Sequence, residues 1–153
     1  MGARLASSVP VLAVAALVGA CAGPAGTACT LIGAEPGVDI GYGQVLRHTS
    51  GHPVTVRACV QSACEAIDVT PGQPAYPFRV GRAVVARHQD APVRVRVTIR
   101  GHRGHLVFAG QTTVRPHQVQ PNGPSCPPTV WVGRVVASGD HTLTAAPGPA
   151  HGR

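Results

Sequence analysis

Apolar and polar residues alternate with a period of two through much of the chain after residue 37. The clearest segment is Val93–Arg100, in which valine and isoleucine alternate with Arg94, Arg96, Thr98 and Arg100. Such alternation is typical of a β-strand with one buried face and one solvated face. The pattern therefore predicts a half-buried strand whose outer face carries arginines.

Shorter segments with the same alternation recur along the chain, separated by turn signals that contain glycine or proline. The other predicted strands are 37–42, 53–60, 64–69, 76–86, 105–114, 129–137 and a short one at 141–144. Seven or eight short strands predict an all-β fold, an antiparallel β-sandwich with an immunoglobulin-like or transthyretin-like layout. The apolar run 130–132 suits a central strand that is buried on both faces. No helix longer than one turn is expected after residue 20.

The N-terminal segment has the profile of a signal peptide over residues 1–20. Arg4 supplies a positive start, and an uncharged apolar run continues to Ala20. The run is interrupted by proline and serine and is too short for a comfortable membrane-spanning helix, which needs roughly 20 apolar residues. The chain is therefore expected to be exported.

The signal segment ends in Val18-Gly19-Ala20-Cys21, which resembles the lipobox of bacterial lipoproteins. The resemblance implies that Cys21 is lipidated, becomes the new N-terminus and holds the protein at the outer face of a membrane. Two alternatives stay open. Ala20-Cys21-Ala22 also fits plain secretory cleavage, and the apolar segment could remain as an uncleaved anchor.

Composition divides the remaining chain into three parts. Residues 21–28 form the lipid anchor and a short linker of small residues, 29–144 the sandwich domain, and 145–153 a disordered tail rich in proline, glycine and alanine. The stretch 121–129, together with the Cys59-x4-Cys64 spacing, is similar to small uncharacterised lipoproteins of actinobacteria. That resemblance implies the same cellular location and the same fold, and it implies no activity.

Five cysteines are an odd number for an oxidising compartment. Lipidation of Cys21 would leave four, an even set suited to two disulfides.

A hairpin predicts the pairing of these four cysteines. If residues 61–62 form a two-residue turn, Cys59 and Cys64 face each other as a non-hydrogen-bonded pair, at a separation that a disulfide bridges. A longer loop would leave the same bond in poorer geometry. Elimination then pairs Cys29 with Cys126.

Charge indicates the class of partner. All 13 basic residues are arginines, only six residues are acidic, and the formal net charge is +7. Phospholipid headgroups and anionic wall polymers are the favoured partners. Nucleic acid is not expected, because aromatic residues are not interleaved with the basic ones.

Arginines are concentrated between residues 79 and 103. The anion-binding candidates are Arg94, Arg96, Arg100, Arg79 and Arg82. Anion binding has a simpler alternative, a solvated strand face, and arginine on an edge strand also discourages aggregation.

A histidine-based metal-binding or hydrolytic protein is the alternative function. His102-x2-His105, with His88 and Asp90, would supply the ligands. No His-Glu-x-x-His element is present, and there is neither a nucleophile elbow nor a phosphate-binding glycine loop. We therefore expect a non-catalytic envelope module that binds or scaffolds a partner, with no cofactor; the sequence does not identify a partner protein.

Overall fold

A computed structural model of the chain describes residues 29, 32–49, 51–70, 72, 77–123 and 125–147. The predicted signal peptide, Cys21 and the linker up to residue 28 lie outside these residues, as does most of the predicted tail. In the described segments, no helix has the length and the apolar character needed to cross a membrane.

The described residues form nine strands and two short helices. The strands are β1 (Gly37–Gly41), β2 (Val54–Val60), β3 (Ala63–Val69), β4 (Phe78–Val80), β5 (Val93–Arg100), β6 (Leu106–Val114), β7 (His117–Val119), β8 (Val130–Ala137) and β9 (Leu143–Ala145). The helices are α1 (Gly43–Leu46) and α2 (Arg82–His88), and a 3-10 turn covers His102–Gly104.

The strands form two sheets, and the all-β sandwich with two disulfides predicted from the sequence is confirmed. The first sheet has the order β4-β1-β8-β7, with β9 also paired to β8. The second sheet has the order β3-β2-β5-β6. All pairs are antiparallel except β1 with β8, which is parallel.

The core between the sheets consists mainly of valine. Val56 and Val97 of the second sheet and Val38 of the first are fully buried. Phe108 is the largest fully buried side chain, and Tyr42 is 4 % exposed. The alternation seen in the sequence therefore separates a valine-rich inner face from a polar outer face.

The predicted strand 76–86 is wrong over its second half. After β4 the chain turns at Gly81, which has a left-handed φ of 72°, and continues as α2. Val84 and Val85 are the buried residues of that helix, spaced three and four residues after Gly81. Valine favours strands, so composition concealed the helical period. The expectation of no helix longer than one turn is likewise wrong.

The central position expected for the 130–132 segment is confirmed, since β8 lies between β1 on one side and β7 and β9 on the other. Burial on both faces is not found, because Val130 is buried whereas Trp131 and Val132 are half-buried. β7 was not predicted, because three residues are too few to show alternation. Ala145, assigned to the tail by sequence, is the last residue of β9, and the Ala146 amide donates a hydrogen bond to the Arg134 carbonyl (2.9 Å).

Candidate functional site

Four arginines converge on the outer face of the second sheet. Arg94, Arg96 and Arg100 occupy exposed positions of β5. Arg57 of β2 lies opposite Thr98, so it is diagonal to both Arg96 and Arg100. Diagonal neighbours on paired strands are about 7–8 Å apart. We call these four residues, Arg57, Arg94, Arg96 and Arg100, the arginine face.

The arginine face has little compensating charge. In the described part of the chain, Arg100 donates a hydrogen bond to the Gly104 carbonyl (2.8 Å), whereas the other three guanidinium groups have no hydrogen bond or ion pair. β3 carries two carboxylates, and of these only Asp68 is on the side of the arginine face, where its Oδ1 accepts a hydrogen bond from the Thr55 hydroxyl (2.7 Å); Glu65 is opposite the buried Ala58. The face therefore presents unpaired positive charge to solvent.

Arg79 and Arg82, the other sequence candidates, lie away from this face and have acidic partners. Arg79 is on the outer side of the first sheet, where its Nε and Nη2 donate to the two carboxylate oxygens of Asp39 (2.7 and 2.9 Å). The hydrogen bond to Asp39 raises the pKa of Arg79, although burial opposes the shift. Arg82 of α2 pairs with Glu35 (2.9 Å). Both arginines are locally neutralised.

The Arg79–Asp39 pair forms one wall of an open cleft on the first sheet. The cleft has a volume of about 400 Å³, and His117 and Arg134 also line it beside small apolar residues. Asp39 neutralises Arg79. Among the described residues, Arg134 is therefore the arginine of this cleft whose guanidinium group has no acidic partner. One uncompensated charge makes this a weaker anion site than the arginine face.

Histidines gather at one end of the sandwich. His48, His52, His102 and His105 line a small cleft of about 180 Å³, and the rings of His52 and His102 stack with their centroids 5.8 Å apart. His88 does not line this cleft.

The structure does not bring together the alternative metal set of His88, His102 and His105. His88 precedes β5 and the other two follow it, and an eight-residue strand spans roughly 23 Å from its first to its last residue. Asp90 lies with His88 before β5. Among the described residues, no group of three or more histidine, cysteine, aspartate or glutamate side chains has an arrangement that could hold a metal ion.

Both disulfides have the predicted connectivity. Cys59 and Cys64 pair in register across the β2–β3 hairpin, with a Cα–Cα distance of 4.0 Å. Cys29 and Cys126 join across 97 residues at 5.6 Å. The two-residue turn at 61–62 that carried the prediction is present.

Arg57 is the member of the arginine face that the sequence candidates missed. Alternation within 53–60 puts Arg57 on the outer side of its strand. Its proximity to Arg96 depends on the pairing of β2 with β5, two strands separated by more than 30 residues. The alternation in both segments indicates that Arg57 and Arg96 are on the outer side of their strands. A single sequence does not reveal that the two strands are neighbours.

Comparison of the chain with protein-family models, with curated proteins and with solved structures found no match.

Proposed function

We propose that the protein is an exported lipoprotein of the cell envelope, a non-catalytic binding or scaffolding module that a lipid on Cys21 holds at the outer face of the membrane. The arginine face contacts an anionic envelope surface. The observation that carries this proposal is the set of unpaired guanidinium groups on one side of the second sheet.

Electrostatics favours a ligand for this face. Two unit charges about 7 Å apart in water repel each other by roughly 0.6 kcal/mol. Each arginine of the face has at least one like-charged neighbour near that distance, and Asp68, the diagonal neighbour of Arg57 on β3, is the one described carboxylate on this side of the sheet at a comparable distance. An anionic surface offsets this repulsion, because each arginine near it gains an attraction of about 1 kcal/mol.

Protection of a sheet edge does not account for these arginines. β5 lies between β2 and β6, so its backbone groups are already paired on both sides. An arginine that blocks edge-to-edge aggregation is useful on an outermost strand, and in this sheet those strands are β3 and β6. Arg57 is on β2, which likewise lies between two strands, so all four arginines are on strands that need no such protection.

The two disulfides support an oxidising, extracytoplasmic location. The proposed lipid attachment rests on the lipobox-like segment. Seven linker residues between Cys21 and Cys29 span at most about 25 Å when extended. A domain on so short a tether stays near the headgroups, where the arginine face can reach them.

The test uses a Cys21→Ala background, so that a lipid cannot mask the contribution of the arginines. Binding to vesicles that contain phosphatidylglycerol is compared with binding to neutral vesicles at increasing salt. We expect Arg94→Gln with Arg96→Gln to weaken anionic-vesicle binding about 30-fold, since two arginines contribute about 2 kcal/mol.

The matched control is Arg47→Gln with Arg87→Gln, which removes the same charge from exposed positions outside the arginine face. This variant should retain most of the binding. Equal losses in both double variants would show a response to net charge alone. Binding that is insensitive to salt and to both variants would refute the proposed contact.

A further inference from the structure

The Cys59–Cys64 disulfide lies directly beside the arginine face. Cys59 of β2 has Cys64 as its partner on β3 and Arg96 as its partner on β5. Arg57 is two residues earlier on β2 and therefore on the same side of the sheet. One sulfur of this disulfide consequently has two cationic neighbours.

The two sulfurs differ in their access to solvent. Cys64 is exposed on the outermost strand β3, and Cys59 is half-buried on the next strand inward. A thiol that approaches from solvent therefore reaches Cys64 first. Attack at that sulfur expels Cys59, the sulfur that Arg96 neighbours.

We propose that Cys59–Cys64 is a thiol–disulfide exchange centre that accepts two electrons from external thiols, with Arg96 stabilising the departing Cys59 thiolate. This activity is independent of anion binding by the arginine face, because it requires one arginine beside the disulfide rather than an extended cationic surface.

The exchange has two steps. An external thiolate donates an electron pair to the Sγ atom of Cys64, a mixed disulfide forms, and Cys59 leaves as a thiolate with the electron pair of the broken S–S bond. A second external thiolate attacks the reagent sulfur of the mixed disulfide and releases Cys64. Two reagent thiols become one disulfide, and their two protons end on Cys59 and Cys64.

The second disulfide provides an internal comparison. Cys126 is only 2 % exposed but Cys29 is exposed, so what distinguishes the two bonds is their place in the fold: the second one ties residue 29 to a loop 97 residues away. Cys59 and Cys64 are instead held in place by the β2–β3 pairing and a two-residue turn. The hairpin therefore tolerates opening of its disulfide better than the N-terminal segment does.

The first measurement is selectivity. The mature protein is treated with limiting 2-mercaptoethanol, quenched with iodoacetamide and mapped by peptide mass spectrometry. We expect alkylation of Cys59 and Cys64 while Cys29–Cys126 remains intact, and the trapped reagent adduct should be on Cys64. Simultaneous opening of both disulfides, or an adduct on Cys59, would overturn the proposal.

The second measurement isolates Arg96. A unit positive charge about 6 Å from an anion in water stabilises it by about 0.7 kcal/mol, which is about threefold in the equilibrium constant for forming the anion. Arg96→Gln should therefore slow reduction of Cys59–Cys64 about threefold and Arg96→Glu about tenfold, with smaller differences at high salt. Arg87→Gln, on α2, is the control and should react like the parent. Equal rates in the parent and both Arg96 variants would refute the assigned role, whatever the vesicle assay shows.

Discussion

Removing the Cys29–Cys126 bond should destabilise the protein far more than removing Cys59–Cys64. The perturbations are the double variants Cys29→Ala with Cys126→Ala, and Cys59→Ala with Cys64→Ala. Each pair deletes one disulfide and leaves the other, so each variant serves as the control for its counterpart.

The expected magnitudes follow from the lengths of the closed loops. The sequence separations are 97 and 5 residues. The chain-entropy model gives about 4.7 kcal/mol for the long loop and about 2 kcal/mol for the short one. The long-range bond also positions residues near Asn122, whose Oδ1 accepts a hydrogen bond from the Ile32 amide (2.8 Å). Loss of that contact would enlarge the difference.

Thermal unfolding followed by circular dichroism, without reductant, measures the effect. At about 4 °C per kcal/mol for a domain of this size, the two variants should lose about 19 °C and about 8 °C. Denaturant titration of the same proteins gives the free energies of unfolding directly. Equal losses, or a larger loss for the hairpin variant, would show that unfolded-chain entropy does not govern how these bonds stabilise the fold.

Two further predictions concern the fold and the attachment of the protein to the membrane. Gly81→Ala should lower the free energy of unfolding, measured in urea, by more than Gly104→Ala does. Both glycines have a left-handed φ, so both substitutions strain the backbone. Only at Gly81 would the added Cβ also clash, since it would lie 2.5 Å from the Val60 Cβ, whereas Gly104 has open space around it. Similar values for the two variants would mean that the Val60 contact relaxes freely. Mass spectrometry of the mature N-terminus should find a diacylglycerol adduct on Cys21, and Cys21→Ala should release the protein from membranes; an unmodified terminus at or beyond residue 23 would exclude lipidation.

The strands and disulfides were largely predictable because each depends on local pattern. The alternation within Val93–Arg100 gave the bounds of β5 correctly, and the hairpin geometry around residues 61–62 gave the register of Cys59 with Cys64. In both cases the relevant neighbours are within a few residues in sequence. Elimination then determined the remaining pair of cysteines.

Features that depend on tertiary neighbours were not predictable. Helix α2 replaced half of a predicted strand because Gly81 turns the chain where it packs against Val60, a contact across 21 positions of sequence. Membership of the arginine face also depends on tertiary structure. Arg57 belongs to it because β2 pairs with β5, and Arg79 does not because it lies on the other sheet, hydrogen-bonded to Asp39. Alternation assigns a residue to one side of its strand, whereas a surface site also requires the order of strands in the sheet.

The bond between Cys29 and Cys126 also determines how the domain responds to pulling. Force applied to the chain ahead of Cys29 passes through the covalent bond into the loop before β8, so it bypasses β1. Without that bond the same force would act along residues 30–36 and peel β1 away from β4 and β8, one hydrogen bond after another. A domain that is tethered through its N-terminus would therefore take up a pulling force first at β8, a strand with neighbours on both sides, rather than at β1.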